Sequence, residues 1–290
     1  MTLDKLYLKM CGILSDAGVP DASVDAFRLF EYVTGLNHAA FYASRDKEAD
    51  PAQAERLMAL TEKRAERIPL QHLTGEQAFM DLTFKVNEHV LIPRFDTEIL
   101  VETALQKARL QGADQGAHIL DIGCGSGCII ISLLHALGAH NGQEAGWSGT
   151  GTDISKEALK LARENAGRCG LKECITWRNA DLFDGDMTRD YALIVSNPPY
   201  IPTGEIDSLE PEVREHDPLT ALDGGPDGLR FYRAIIPEAR GHLRPGGWLI
   251  VEIGFDQREA VLQLFREQGY RQIECVKDLS GHDRVIAGQK

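Results

Sequence analysis

Asn197-Pro198-Pro199-Tyr200 is the segment whose residue types bear most directly on chemistry, and it follows the apolar run Ile194-Val195. Each proline fixes φ, so the segment is a stiff turn at the end of a strand. Such a turn can present the Asn197 side-chain oxygen beside the Pro198 carbonyl, and the pair can accept both hydrogens of a planar NH2 group. An amide nitrogen needs this help, because its lone pair is delocalised into its own carbonyl. Gripping both hydrogens favours a pyramidal nitrogen and aims the lone pair at an electrophile. Tyr200 then offers a ring face to a planar substrate group. The alternative is a rigid Pro-Pro turn of structural use only.

A second constellation lies upstream. Leu120-Asp121-Ile122 runs into Gly123-Cys124-Gly125-Ser126-Gly127, where alternate glycines let the backbone turn tightly and approach a ligand. A dinucleotide fingerprint has the spacing G-x-G-x-x-G, but Cys128 occupies the position of its last glycine, which disfavours a dehydrogenase. The observed G-x-G-x-G resembles the S-adenosylmethionine loop, whose backbone lies against the amino-acid end of that cofactor. Further on, Gly151-Thr152-Asp153 ends another strand, and Asp153 is placed to accept hydrogen bonds from both ribose hydroxyls. A cap for the helix starting near Lys156 is the competing role. Asp181 could receive an adenine amino group and Leu182 could pack on its ring, although Asp181 could equally be a solvated loop residue.

Positioning these residues requires a sheet with crossover helices. Short apolar runs at His118–Ile122, Trp147–Ile154, Ile175–Asn179, Ala192–Asn197, Gly247–Ile253, Gln272–Lys277 and Arg284–Gly288 alternate with amphipathic helices. That alternation predicts an α/β doubly wound sheet. Only Asp278 to Asp283 separates the last two strands, too short for a parallel crossover, so the final strand is expected to be antiparallel. Seven strands ending this way is the class I (Rossmann-like) methyltransferase architecture. Residues 1–73 read as a small helical bundle, with helices around Leu6–Leu14, after a cap at Asp21 or Ser23, and over Pro51–Ile68. Residues 74–95 read as a hairpin linker, its strands on either side of Asn87-Glu88, and residues 96–290 as the S-adenosylmethionine-dependent domain. Gly138–Gly146 reads as a surface loop.

A formal net charge of -13 argues against a non-specific nucleic-acid binder, because phosphate contacts call for a basic face. No run of about 18 apolar residues predicts a membrane span. Met1 to Met10 lacks the apolar core of a signal peptide, so a cytoplasmic location is expected. Cys11, Cys124, Cys128, Cys169, Cys174 and Cys275 lack zinc spacing and read as reduced thiols; no metal is expected.

With these motifs in hand, the chain resembles the HemK/PrmC family of protein-(glutamine-N5) methyltransferases over nearly its whole length. Further marks are Ile92-Pro93-Arg94-x-Asp96-Thr97-Glu98, Glu210-Pro211-Glu212-Val213 and Ala221-Leu222-Asp223-Gly224-Gly225-Pro226-Asp227-Gly228-Leu229. The resemblance implies an enzyme that methylates the glutamine of the Gly-Gly-Gln motif in peptide chain release factors. It implies that the N-terminal helices grip the release factor and that Asn197 holds the glutamine amide. It also implies that Gly123 to Gly127, Asp153, Leu182 and Asn197 contact S-adenosylmethionine. Phe95 stands where the family usually has Pro, and Leu182 where some members have Trp. The competing enzyme is an N6-adenine DNA or RNA methyltransferase, which shares Asn-Pro-Pro-Tyr but calls for a basic groove or an added recognition region. A donor-binding module without catalysis is the non-enzymatic alternative, disfavoured by Asn197.

Overall fold

A computed structural model describes residues 1–111, 117–139, 146–185, 187 and 190–290. The chain divides into two compact units, Met1–Glu76 with Glu210–His216, and Gln77–Leu209 with Asp217–Lys290. Most of the Gly138–Gly146 loop lies outside the described residues. Among the described residues no helix is long and apolar enough to cross a membrane.

The first unit contains α1 (Leu3–Asp16), α2 (Ala22–Thr34), α3 (His38–Ser44), α4 (Pro51–Ala65) and α5 (Leu70–Thr74). Leu6, Met10 and Leu14 recur at helical spacing on α1 and bury against Phe27, Leu29 and Phe30 of α2. Helix starts follow the side chains: Thr2, Asn37 and Asp50 each accept an amide hydrogen from the first turn of α1, α3 and α4. Asp21 precedes α2 but makes no side-chain cap. Helix α4 stops before the expected Ile68, because Arg67 turns into the left-handed region at φ 69. That turn presents the Arg67 guanidinium to Glu212 of the returning segment. Arg64, only 5% exposed, bonds both Glu212 (2.9 Å) and Asp25 (2.7 Å). The Glu-Pro-Glu-Val stretch thus ties into this unit through one buried ionic cluster.

In the second unit, β1 (Glu76–Phe79) and β2 (Leu82–Lys85) form a hairpin. It lies earlier than the sequence pattern indicates. Met80 adopts φ 51 and supplies a tight turn with Asp81, whereas Asn87 shapes a separate turn through His89 N–H donating to its side chain. A 3-10 turn, Phe95–Thr97, leads into α6 (Glu98–Gln111); Phe95 is 68% exposed, so a ring in place of proline meets no packing constraint.

Strands β3 (Ala117–Ile122), β4 (Trp147–Asp153), β5 (Ile175–Asn179), β6 (Tyr191–Ser196), β7 (Leu243–Glu252), β8 (Arg271–Lys277) and β9 (Asp283–Gln289) form one sheet in the order β5-β4-β3-β6-β7-β9-β8. β9 is antiparallel to both neighbours. Helices α7 (Cys128–Ala136) and α8 (Lys156–Arg168) precede α9 (Arg230–His242) and α10 (Arg258–Glu267). One face of the sheet buries Leu100, Val101, Ile130 and Leu133 of α6 and α7; the other buries Tyr232, Ile235 and Ile236 of α9 with Val261 and Phe265 of α10. Parallel register sets Ile122 beside Thr152 and Ser196. The chain order switches at β3, so the loops after β3, β4 and β6 open a crevice at the carboxyl edge of the sheet.

Candidate active site

The glycine loop leaves β3 with Gly123 at φ 69, Gly125 at φ 52 and Gly127 at φ 80, a region costly for side chains other than glycine. A Cβ on Gly123 or Gly125 would meet nothing within 4 Å. At Gly127 it would strike Ile131 at 2.9 Å and Trp177 at 3.1 Å. The first two glycines therefore keep space open, while Gly127 lets α7 pack. Asn165 of α8, 1% exposed, staples the loop: its Nδ2 donates to the Ser126 carbonyl (2.9 Å) and to that of Lys85 (3.1 Å), and its Oδ1 accepts from Lys85 N–H (2.8 Å). Below the loop, the fully buried Asp121 accepts from Ile130 N–H at 3.3 Å. Burial pushes its carboxyl up to about 7, against that amide bond.

Asp153, at the tip of β4, accepts Gly125 N–H on Oδ2 (2.9 Å) and Ser155 N–H on Oδ1 (2.8 Å). Burial pushes its pKa up and these two bonds pull it down. The cap of α8 is Ser155, whose hydroxyl accepts Ala158 N–H at 3.1 Å. Asp153 is therefore not that cap. After β5, the exposed Asp181 precedes Leu182, which sits at φ 50. A leucine in the left-handed region is strained, and strain of this kind gathers at ligand sites.

The segment after β6 is framed by Asp223-Gly224-Gly225-Pro226-Asp227-Gly228. Ile201 N–H donates to the Leu222 carbonyl (3.1 Å) and Gly224 N–H to the Ile201 carbonyl (2.8 Å). A Cβ on Gly228 would lie 2.3 Å from the Tyr200 carbonyl oxygen, and one on Gly224 2.8 Å from Tyr200 Cα. Gln257 Nε2 donates to the same Tyr200 carbonyl at 2.8 Å. The glycines of this stretch thus permit backbone-to-backbone packing behind the Asn-Pro-Pro-Tyr turn. At its front, Asn197 Nδ2 donates to Thr97 Oγ1 at 3.1 Å.

One cleft of about 390 Å³, within the range of small-molecule sites, unites most of the expected residues. Gly123, Cys124, Gly125 and Ser126 line it, as do Asp153, Asp181 and Leu182, and so do Asn197, Pro198 and Pro199. Gly127 and Tyr200 are not among its lining residues. The Tyr200 ring packs at the edge of the α9–α10 side of the core, with its hydroxyl 3.5 Å from Glu252 Oε1. The glycine packing and Gln257 hold the Tyr200 backbone from behind. Thr97, Arg94 and Phe231 also line the cleft, and composition gave them no role; only the Arg94-x-Asp96-Thr97 linker motif marked the first two. Arg94 pairs with the buried Asp217 at 2.6 Å.

Residues 8–75 match the PrmC N-terminal domain and residues 95–209 the methyltransferase small domain. A release factor glutamine methyltransferase of Geobacter sulfurreducens is 42% identical over 96% of this chain and 93% of its own length. This chain belongs to the release factor glutamine methyltransferase family. A second member, from Caulobacter vibrioides, is 40% identical over the whole of this chain and 97% of its own. The solved hMettl16 catalytic domain, in complex with a MAT2A 3'UTR hairpin, matches at a TM-score of 0.53 and 18% identity over 82% of each chain, a likeness of fold. Its family membership and its seven-stranded sheet with an antiparallel final strand make the protein a class I methyltransferase.

Proposed function

We propose that this chain transfers the methyl group of S-adenosylmethionine to the N5 side-chain amide nitrogen of the glutamine in the Gly-Gly-Gln motif of peptide chain release factors, in the cytoplasm. The observation that carries the reading is the shared cleft: Asn197, its Nδ2 already engaged by Thr97, leaves its oxygen for an acceptor beside the glycine loop.

The donor half fits the residues present. The space kept open at Gly123 and Gly125 suits the amino-acid end of the cofactor, with Cys124 and Ser126 completing that wall. Each Asp153 oxygen retains a lone pair beyond its amide bond for a ribose hydroxyl. Leu182 offers an apolar surface to the adenine, with Asp181 near its amino group. S-adenosylmethionine supplies an already activated methyl on its sulfonium.

The protein's part is alignment. Asn197 Oδ1 and the Pro198 carbonyl accept the two hydrogens of the glutamine amide, and the Pro198-Pro199 turn keeps both oxygens fixed. Holding the nitrogen in line with the methyl and sulfur removes the orientational cost of the reaction. The helical unit of residues 1–73 would grip the release factor, leaving the hairpin and the domain from residue 96 to bring the glutamine to the donor.

Incubation with labelled S-adenosylmethionine and, separately, a release factor, DNA and RNA tests the reading. Label in the release factor at the Gly-Gly-Gln glutamine is expected. Label in adenine of either nucleic acid, with none in the release factor, would overturn it in favour of an N6-adenine enzyme.

A further inference from the structure

Two stretches of irregular backbone line the cleft on separate sides. One is the glycine loop, through Cys124, Gly125 and Ser126; the other is the linker after β2, through Val90, Leu91 and Pro93. Buried backbone of this kind needs hydrogen-bond partners from elsewhere in the fold. Both stretches share one. Asn165 Nδ2 donates to the Ser126 carbonyl at 2.9 Å and to the Lys85 carbonyl at 3.1 Å, and its Oδ1 accepts Lys85 N–H at 2.8 Å. The partners fix which way this amide points: the two carbonyls can only accept and the backbone N–H can only donate.

The neighbouring contacts do not replace this staple. Glu164 and Lys85 form an ion pair, but their side chains are 50% and 43% exposed, and an exposed pair holds little. Val86 and Val90 of the linker pack with Ala158 and Leu161 of α8. That contact is non-directional, so it keeps the linker against the helix without setting its register. The buried amide supplies the register, and it does so for the linker and the glycine loop at once.

We propose that Asn165 is a positioning residue for the S-adenosylmethionine site: its carboxamide ties the glycine loop to the linker and so sets the spacing of two walls that close on the donor. The inference rests on the proposed donor role of the glycine loop and gives the linker a share in binding. Asn165 is 1% exposed and does not line the cleft, so it acts only through the backbone of Ser126 and Lys85. Such coupling is reciprocal. If the staple tightens the donor by some factor, the bound donor strengthens the staple by the same factor.

The test compares wild type, Asn165→Leu, Asn165→Asp and Glu164→Gln by melting temperature, calorimetric S-adenosylmethionine affinity, and KM and kcat for methyl transfer to a release factor. Leucine keeps the size without polar atoms; aspartate keeps the acceptor for Lys85 N–H but loses both donated bonds. Both Asn165 variants are expected to bind the donor about tenfold or more weakly. KM for the donor should rise in proportion, with kcat at saturating donor within about threefold of wild type, since Asn197 and Thr97 are untouched. Glu164→Gln, which removes only the exposed ion pair, should behave as wild type. Normal donor affinity beside a lowered melting temperature in Asn165→Leu would overturn the inference, and so would a fall in kcat at unchanged KM. Normal affinity in Asn165→Asp alone would remove the tie to Ser126 and overturn it too. If neither Asn165 variant folds, amide hydrogen exchange at Lys85 of the wild type decides. Lys85 does not line the cleft, so the donor cannot shield it directly. Saturating S-adenosylmethionine should slow that exchange by about tenfold or more, and an unchanged rate would overturn the inference. The donor reading itself falls separately, on a wild type that does not bind S-adenosylmethionine.

Discussion

Asp153 Oδ2 accepts the Gly125 amide hydrogen at 2.9 Å, so the proposed ribose-binding carboxylate is also the brace of the glycine loop. Asp153→Ala removes both functions, and donor affinity should fall by on the order of 2–3 kcal/mol, the scale of losing charge-assisted hydrogen bonds. Asp153→Asn separates them. Its amide oxygen can still brace Gly125, but its NH2 confronts Ser155 N–H and can no longer accept from a hydroxyl on that side. Calorimetric titration should place Asn between wild type and Ala; equal affinity in all three would remove Asp153 from the donor site.

Gly125 and Gly228 both have positive φ, at 52 and 71, yet their surroundings predict opposite phenotypes. A Cβ at Gly125 meets nothing, so Gly125→Ala should fold with a small loss in melting temperature while donor affinity drops, because the methyl enters the ligand's space. Gly125→Val should be worse. At Gly228 a Cβ would overlap the Tyr200 carbonyl oxygen at 2.3 Å and Gln257 Nε2 at 2.4 Å. Gly228→Ala should therefore cost on the order of 1–3 kcal/mol of stability and shift the acceptor turn. Thermal melts run beside calorimetry would show the contrast, and similar profiles for the two variants would contradict it.

How much of this the sequence disclosed depends on the range of the interactions. The seven strands and the antiparallel finish were legible, because apolar alternation and a short final connection are local signals. The glycine loop was legible for the same reason. The hairpin was misplaced because nothing about Met80 announces a left-handed turn, while Asn87 does announce a turn and shapes one further on. The packing behind the Tyr200 backbone was illegible: it is made by Gly224, Gly228 and Gln257, which only the fold brings there. The bracing of Gly125 by Asp153 likewise required the register that sets the tips of β3 and β4 side by side.

Glu212 in the helical unit provides a pH signature. Burial pushes its carboxyl up, but hydrogen bonds from Arg67 and Arg64 overcome that and hold it at about 2, against an ordinary 4.5. A depressed folded-state pKa contributes stability that is present above the ordinary value and is lost as pH falls towards about 2. Glu212→Gln should lower stability at neutral pH by about 2 kcal/mol, since Arg64 is left buried with less compensation. It should also flatten the acid limb of a stability–pH curve between about pH 4.5 and 2. An acid limb as steep in the variant as in wild type would exclude Glu212 as its source.

Asn197→Asp distinguishes an amide acceptor from an amine one. Aspartate keeps the size and an acceptor oxygen but has no hydrogen to give Thr97 Oγ1, the partner of Asn197 Nδ2. Thr97 would then have to turn its own hydrogen to the new carboxylate. A carboxylate introduced at this half-buried position also meets a desolvation cost for its charge. Once protonated, the introduced carboxyl could present a hydroxyl hydrogen instead of an oxygen to the glutamine NH2, which opposes the required grip. Transfer to a release factor should therefore fall by about a hundredfold or more at saturating donor, the scale of losing one positioned polar group in a preorganised site. Donor affinity and melting temperature should change little, because the Pro198-Pro199 turn persists. An adenine amine is the better nucleophile of the two acceptors and makes less demand on the grip, so an adenine enzyme would keep a substantial rate. Single-turnover assays against a release factor and an adenine-containing oligonucleotide read the difference directly. Near-normal transfer to the release factor by Asn197→Asp would show that the amide grip does not operate.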